Sequence, residues 1–301
     1  MFSESLTKPI QAFLQYIRFE KRYSAHTVRS YSDDLSAFSL FLQNTYGKVE
    51  AGEIRSAMVR TWLASLKEGG QSARSIVRRI STLKSFFKYL LRSGEVKQTP
   101  MTGIVSPRVS KRLPAFVEEK AINTLLSHDF FGDDWQGRTE YLIVQLLYHT
   151  GMRRSELINL REDQLDTGNT QLKILGKGNK ERIIPLSAEL MKRLTEYSKG
   201  KREEFEAPDT EVLLVNKKGK KLSQHAVYDA VRRNLSLVTT MEKKSPHVLR
   251  HTFATHLANN GAELNAIKEL LGHSSLASTQ IYTHNSIEKL KDIHSKTHPK
   301  A

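Results

Sequence analysis

The segment PHVLRHTFATHL, at residues 246–257, places His247 and Arg250 three residues apart. Ser245 and Pro246 are typical of the N-cap and first position of a helix, so both side chains would lie on one face of its first turns. The dipole and free amide groups at a helix N-terminus favour an anion. Because a guanidinium can bridge two phosphate oxygens, this pair predicts a phosphate-binding site.

Four further residues with phosphate or proton chemistry lie in short motifs. They are Arg153 in TGMRRSEL (150–157), Lys177 in GKGNKER (176–182), His273 in ELLGHSSL (269–276) and Tyr282 in QIYTH (280–284). Each also has an ordinary structural interpretation. Arg153 could form an ion pair with Glu156, and Lys177 could be an exposed turn lysine. His273 could cap a helix, and Tyr282 could belong to the core. A single HxxR pair is likewise most often a surface pair. Together they supply cations, proton carriers and a nucleophile, the parts of a metal-free phosphoryl transfer.

Composition limits the class of protein and of partner. The chain has 301 residues, enough for about two domains. Lys and Arg number 47 against 32 Asp and Glu, a formal charge of +15 that favours a polyanionic partner over simple solubility charge. The lack of cysteine excludes disulfides, thiolate metal sites and cysteine nucleophiles. Without a long apolar run or a signal-peptide pattern, we expect a cytoplasmic protein with no membrane contact.

A basic segment bounded by two prolines, SPRVSKRLP at 106–114, predicts an extended linker. It separates a first domain at 1–105 from a second at 115–301. In the first domain, four apolar stripes with helical spacing predict four helices, the last closing at Gly94. The stripes are Ile10, Phe13, Leu14 and Ile17; Val28, Tyr31, Leu35 and Phe38; Met58, Trp62 and Leu66; and Ile76, Ile80, Leu83 and Phe87.

The fourth predicted helix also has a basic face, without glutamates placed to pair with it. The face is formed by Arg74, Arg78, Arg79, Lys84, Lys88 and Arg92. A solvated surface is the alternative, but DNA contact is the favoured interpretation.

The second domain combines helices with a small sheet. Residues 141–148 are apolar nearly all round and predict a buried helix that stops at Gly151, with a new helix starting near Arg154. Residues 171–175 and 182–185 predict a β-hairpin with a glycine-rich basic turn, whose Lys180 and Arg182 are candidates for DNA contact. The predicted fold class is therefore mainly α with a small β-sheet.

In this order and spacing, the quoted motifs resemble the catalytic signature of the tyrosine recombinases, also called the phage integrase family. The sequences of these motifs and the compact length of the chain are most similar to those of the Xer subfamily. The resemblance covers the whole chain. It implies an N-terminal core-binding domain of SAM-like helical fold and a C-terminal mixed α/β catalytic domain. Met152 stands where leucine is usual, and Arg154 is an added charge for which we predict no role beyond phosphate or substrate contact.

The resemblance implies that Tyr282 attacks a scissile phosphate, forming a 3′-phosphotyrosine and releasing a 5′-hydroxyl. Arg153 and Arg250 would neutralise the transition-state charge in place of metal ions. Because the bond energy is kept in the phosphotyrosine, no ATP is expected. With the arginines in place of metal ions, no metal or other cofactor is expected either.

The other matched residues would move protons or position the arginines. His247 would accept the tyrosine proton, and Lys177 would protonate the leaving 5′-oxygen. His273 would donate a hydrogen bond to a non-bridging oxygen. Glu156 would orient Arg153 from one helical turn away.

The implied partner is double-stranded DNA with a specific recombination site. By resemblance, the tail Ile287–Ala301 would dock on a neighbour rather than fray. The assembly on two sites would be a homo-tetramer, or a hetero-tetramer with a paralogous recombinase. The implied role is resolution of chromosome dimers at cell division. Alternatives are an integrase, excisionase or invertase of a mobile element, a type IB topoisomerase, and a non-catalytic DNA-binding protein.

Overall fold

The structure, a computed structural model, describes residues 4–109, 115–127, 130–176 and 181–272. The chain divides into two compact units, Met1–Arg112 and Leu113–Ala301. The linker bounds predicted at 106–114 stay a prediction, since part of that segment lies outside the described residues. Within the described part of the chain, no helix has both the length and the apolarity that crossing a membrane requires.

The first unit is helical. Its helices are α1 (Glu4–Gln15), which continues into a π-helical turn (Tyr16–Glu20), α2 (Ala25–Tyr46), α3 (Ser56–Glu68) and α4 (Ala73–Arg92). Ser24 and Ser72 cap α2 and α4, each accepting a backbone N–H at 3.2 Å. Just after α4, Gly94 has a φ of +78°, as predicted for a residue that ends a helix.

The four predicted apolar stripes form one core in this unit. Every residue of the stripes is either buried in it or packs against it. At its centre, the ring of Phe13 meets Phe86 edge-on at 5.5 Å, and Phe38 lies 4.8 Å from the ring of Trp62. Helical spacing therefore predicted which side chains face inward.

The second unit is mixed. Its helices are α5 (Glu119–Leu126), α6 (Trp135–Thr150), α7 (Arg154–Ile158), α8 (Ala188–Glu204), α9 (Gln224–Val238), α10 (Pro246–Asn259) and α11 (Leu264–Leu271). Its strands are β1 (Leu165–Asp166), β2 (Gln171–Leu175) and β3 (Glu181–Pro185), antiparallel in the order β1-β2-β3. The predicted hairpin is β2 and β3, with Ile174 opposite Arg182. The two-residue β1 was not predicted, because it is too short to show alternation.

The buried helix α6 fixes where the site begins. It ends at Gly151, as predicted, with the glycine in the left-handed region at φ +57°. A side chain there would place its Cβ 2.4 Å from Phe253 on α10 and 2.8 Å from Leu271 on α11. A glycine therefore lets the turn before Arg153 contact both of these helices.

Helix α10 begins as predicted, with Ser245 at the N-cap position and Pro246 at the first helical position. The Ser245 side chain makes no capping hydrogen bond. Its backbone carbonyl instead accepts from Val248 at 2.9 Å. The proline, whose ring fixes φ and which lacks an N–H, suits this start.

Candidate active site

The carboxylate of Glu156 is the centre of the candidate site. Its Oε1 accepts from Arg153 Nη1 at 2.8 Å, and its Oε2 accepts the backbone N–H of Arg153 at 2.7 Å. Only 6% of the Glu156 side chain is exposed, against 32% of Arg153. The structure thus brings together the two residues that the sequence placed one turn apart, and leaves part of the guanidinium accessible.

Arg182 binds the other side of the same carboxylate. Its Nη1 and Nη2 donate to Oε1 and Oε2 of Glu156 at 3.1 and 2.7 Å, a two-point pair. Its side chain is 5% exposed, so the geometry does not favour the surface DNA contact predicted for it. Arg182 shares the buried face of β3 with Ile184, and a charge at an inward strand position is the signal that could have indicated a buried partner.

These contacts set the charge of Glu156. Burial raises the pKa of the carboxyl group, but the hydrogen bonds and charge of Arg182, followed by the bonds from Arg153, outweigh burial and hold the pKa below its ordinary value. Glu156 is therefore ionised at neutral pH, as positioning two arginines requires.

Arg250, on α10, is buried, at 8% exposure. Its Nη1 donates to the Gly151 carbonyl at 2.5 Å and its Nη2 to the Leu271 carbonyl at 2.7 Å. Burial lowers its pKa to about 10, with repulsion from Arg153 and Arg182 adding to that effect and Glu156 opposing it. The group stays cationic near neutral pH.

The end of α11 meets all three arginines. Arg182 Nε donates to the Leu270 carbonyl at 2.9 Å, Arg250 to that of Leu271, and Arg153 Nη2 to that of Gly272 at 3.3 Å. The last carbonyls of a helix lack helical partners and carry partial negative charge, so cations stabilise them. Each guanidinium has five N–H donors, so Arg153 and Arg250 retain donors beyond these bonds.

Two further predicted residues lie near the ends of helices. His247 is exposed in the first turn of α10, three residues before buried Arg250. Arg154, for which the sequence suggested only phosphate or substrate contact, donates to the Gln224 side chain at 2.7 Å and to its carbonyl at 3.4 Å, at the start of α9. In this arrangement Arg154 joins α7 to α9.

Four predicted residues lie outside the described residues: Lys177, Lys180, His273 and Tyr282. Their roles stay predictions.

The basic face of α4 separates into two groups. Arg74, Lys84, Lys88 and Arg92 are exposed. Arg78, which is also exposed, and the half-buried Arg79 pair with the buried Asp34 of α2, which also accepts from Thr82. The predicted lack of pairing glutamates concerned α4 itself, and the partner of these two arginines lies on a neighbouring helix.

Residues 115–289 match the phage integrase family, and residues 10–94 match the phage integrase N-terminal SAM-like domain. The chain belongs to the phage integrase family. Two tyrosine recombinases named XerC are similar over nearly their whole length. That of Listeria innocua is 37% identical, with 96% of this chain and 97% of that protein covered; that of Chlorobaculum parvum is 33% identical, with 97% and 94% covered.

Solved structures of this family share the fold. A XerH site-specific recombinase bound to palindromic difH substrate has a TM-score of 0.70 at 23% identity, with 95% of this chain and 84% of that chain covered. A Tn1549 transposon integrase in complex with transposon right end DNA has a TM-score of 0.70 at 19% identity, with 94% and 98% covered. The predicted fold class, a SAM-like helical domain and a mixed catalytic domain, is confirmed. The function that the relatives support is site-specific tyrosine recombination of the Xer type.

Proposed function

We propose that this tyrosine recombinase cuts and rejoins double-stranded DNA at a specific site through a 3′-phosphotyrosine on Tyr282. The observation that carries the proposal is that Arg153, Arg182 and Arg250 all donate to carbonyls at the end of α11. Two of them, Arg153 and Arg182, also bind the Glu156 carboxylate. Three cations against a single carboxylate leave a positive site, and such a site attracts and holds a phosphate.

The two arginines with spare donors supply the charge stabilisation. Arg153 is partly accessible and Arg250 is held rigidly from two sides, so their N–H groups are oriented before a phosphate arrives. Preorganised donors need no rearrangement as charge develops on the non-bridging oxygens, which is where electrostatic catalysis is most effective. We infer that the cleavage step needs neither metal ions nor ATP.

The proton transfers are assigned to residues matched by motif. His247, exposed at the start of α10, is proposed as the acceptor of the Tyr282 proton. Lys177 is proposed to protonate the leaving 5′-oxygen, and His273 to donate to a non-bridging oxygen. These assignments rest on the sequence motifs of the family to which the chain belongs.

The biological role that we propose is resolution of chromosome dimers at cell division, in the cytoplasm. It is supported by XerC relatives with 33–37% identity over nearly the full chain. We further propose that the protein acts on two DNA sites as a homo-tetramer, or as a hetero-tetramer with a paralogous recombinase, with the tail Ile287–Ala301 docking on a neighbour.

The test uses covalent trapping. DNA joined to the full-length protein in cells is sequenced to find the site, and a nicked duplex carrying that site then traps cleavage in vitro. The wild-type protein should form an adduct, whereas Tyr282→Phe should bind the duplex equally well and form none, because only the attacking oxygen is removed. An adduct formed by Tyr282→Phe would refute the assignment of the nucleophile. A wild-type protein that binds the site without an adduct would indicate a non-catalytic DNA-binding protein.

A further inference from the structure

Arg182 lies in β3 and is the last residue of the GKGNKER motif, but the proposed chemistry gives it no step. Its guanidinium makes three hydrogen bonds, two to Glu156 and one to the Leu270 carbonyl. It therefore connects the carboxylate that holds Arg153 to the last turn of α11.

We propose that Arg182 is a positioning residue for phosphoryl transfer, which keeps Arg153 available to the phosphate by sharing Glu156 with it. The inference rests on the proposed function. It concerns a residue that acts through Arg153 and α11, not one that touches the substrate.

The buried carboxylate of Glu156 needs cationic partners. Glu156 is almost fully enclosed, and a buried charge must be paired and hydrogen-bonded. With Arg182 present, both carboxylate oxygens accept from its two Nη groups, so Arg153 needs to supply only part of the compensation. Without Arg182, Arg153 would be the one cation among the described residues still bonded to Glu156, and its guanidinium would turn inward, away from the phosphate.

Arg182 also contacts the C-terminal end of α11. Gly272, in the left-handed region at φ +63°, packs against Arg182, so that a Cβ there would lie 3.1 Å from Arg182 Cδ. The Leu271 and Gly272 carbonyls next to this contact are the acceptors for Arg250 and Arg153. Arg182 thus fixes the helix end against which both other arginines are held, immediately before His273 in the sequence.

The experiment compares two substrates with the full-length protein. One is the trapping duplex with its natural scissile phosphate. The other has a methylphosphonate at that position, where a methyl group replaces one non-bridging oxygen and removes the negative charge. Cleavage is measured at saturating DNA for the wild type, Arg182→Gln, Arg182→Lys, Glu156→Gln and the double variant Arg182→Gln/Glu156→Gln, with DNA affinity and melting temperature recorded for each.

On the phosphate, Arg182→Gln should cleave on the order of 100-fold more slowly, as expected when a catalytic group is misplaced by about 1 Å, with little change in affinity. On the methylphosphonate the defect should shrink to less than about tenfold, because less charge needs neutralising. Arg182→Lys should fall in between, since one ammonium cannot reproduce the fork. The double variant Arg182→Gln/Glu156→Gln should be no slower than the slower single variant, as expected for groups that act as a unit.

The matched control is Lys201→Met in the same unit. Lys201 is also fully buried, pairs with Glu162 at 2.5 Å and donates to the Val212 carbonyl at 2.7 Å. It lies outside the candidate site, so its loss should lower the melting temperature without changing the ratio of the two cleavage rates.

An Arg182→Gln defect equal on both substrates, or no defect, would overturn the positioning role. If Arg182→Gln does not fold, the same comparison with Arg182→Lys and Glu156→Gln decides it. A wild-type protein that forms no adduct overturns the proposed function instead, which separates the two failures.

Discussion

Arg250 donates a hydrogen bond from Nη2 to the carbonyl oxygen of Leu271 at 2.7 Å. The two residues belong to different helices, α10 and α11, and the bond attaches a predicted catalytic cation to the end of the helix that precedes His273. The arginine and the helix end stabilise each other through charge and hydrogen bonding. The cations of the site are therefore positioned by the fold itself.

The first prediction concerns the turn at Gly151. Gly151→Ala should destabilise the protein by more than the ~1–2 kcal/mol of left-handed strain, because the new Cβ would also clash with Phe253 and Leu271. Gly261→Ala is the matched control, since Gly261 also has a positive φ but nothing within 4 Å of the added Cβ. Chemical denaturation of both variants checks this. Equal losses would show that crowding at Gly151 has no effect.

The second prediction concerns acid stability. His256 links Tyr148, 3.1 Å from Nδ1, to the Val117 carbonyl, 3.0 Å from Nε2. A carbonyl can only accept, so Nε2 carries the proton and Nδ1 accepts from the tyrosine hydroxyl. Burial lowers the pKa of His256 below its ordinary 6.5, with the Val117 bond partly opposing the effect.

Because the pKa of His256 is lower in the folded state, the unfolded chain binds more protons as the pH falls through 6.5. The free energy of unfolding should therefore decrease there, and His256→Gln should remove that part of the decrease. Urea unfolding at about pH 8 and about pH 5.5 measures it. The same pH dependence in both proteins would contradict the prediction.

The third prediction separates the two groups on α4. Lys88→Ala should leave stability within about 0.5 kcal/mol and reduce the slope of log affinity against log salt by about 1, if the exposed lysine contacts a phosphate. Arg79→Ala should instead cost about 1–2 kcal/mol, since it loses both the Asp34 pair and the contact with the ring of Trp62 at 5.7 Å. An unchanged salt slope in Lys88→Ala would exclude that phosphate contact.

The fourth prediction concerns the general acid. Lys177→Ala should slow cleavage of a normal duplex, because the departing 5′-oxygen then lacks a proton donor. A substrate with sulfur at the 5′-bridging position needs little protonation to leave and should largely restore the rate. If the sulfur substrate gives no rescue, Lys177 acts by binding or positioning the phosphate.

The fifth prediction concerns metals. With charge stabilisation assigned to Arg153 and Arg250, the cleavage step should proceed at an undiminished rate in excess EDTA. A magnesium-dependent nuclease acting on the same DNA in the same buffer is the control and should stop. Strict dependence of cleavage on added magnesium would contradict the arginine mechanism.

The sequence by itself predicted the helical stripes of the first unit, the stop of α6 at Gly151 and the β2–β3 hairpin. These features are local, because each depends on residues that are close together in the sequence. Helices show apolar spacing of 3.6 residues and strands of 2, and a glycine marks a position where the backbone needs positive φ. The family was recognisable for the same reason, because its signature consists of short motifs in a fixed order. The pairing of Arg153 with Glu156 was likewise readable, since the two lie one turn apart.

Only the tertiary structure decided which buried donor meets which acceptor. Arg182 and Leu270 are 88 residues apart in sequence, and Arg153 and Gly272 are 119 apart, so no local pattern connects them. Arg182 looked like a surface cation because its partner Glu156 lies on another element. Burial then determined its role, because a buried guanidinium is stable only where folding supplies acceptors, and those acceptors exist only once α7, β3 and α11 have packed together.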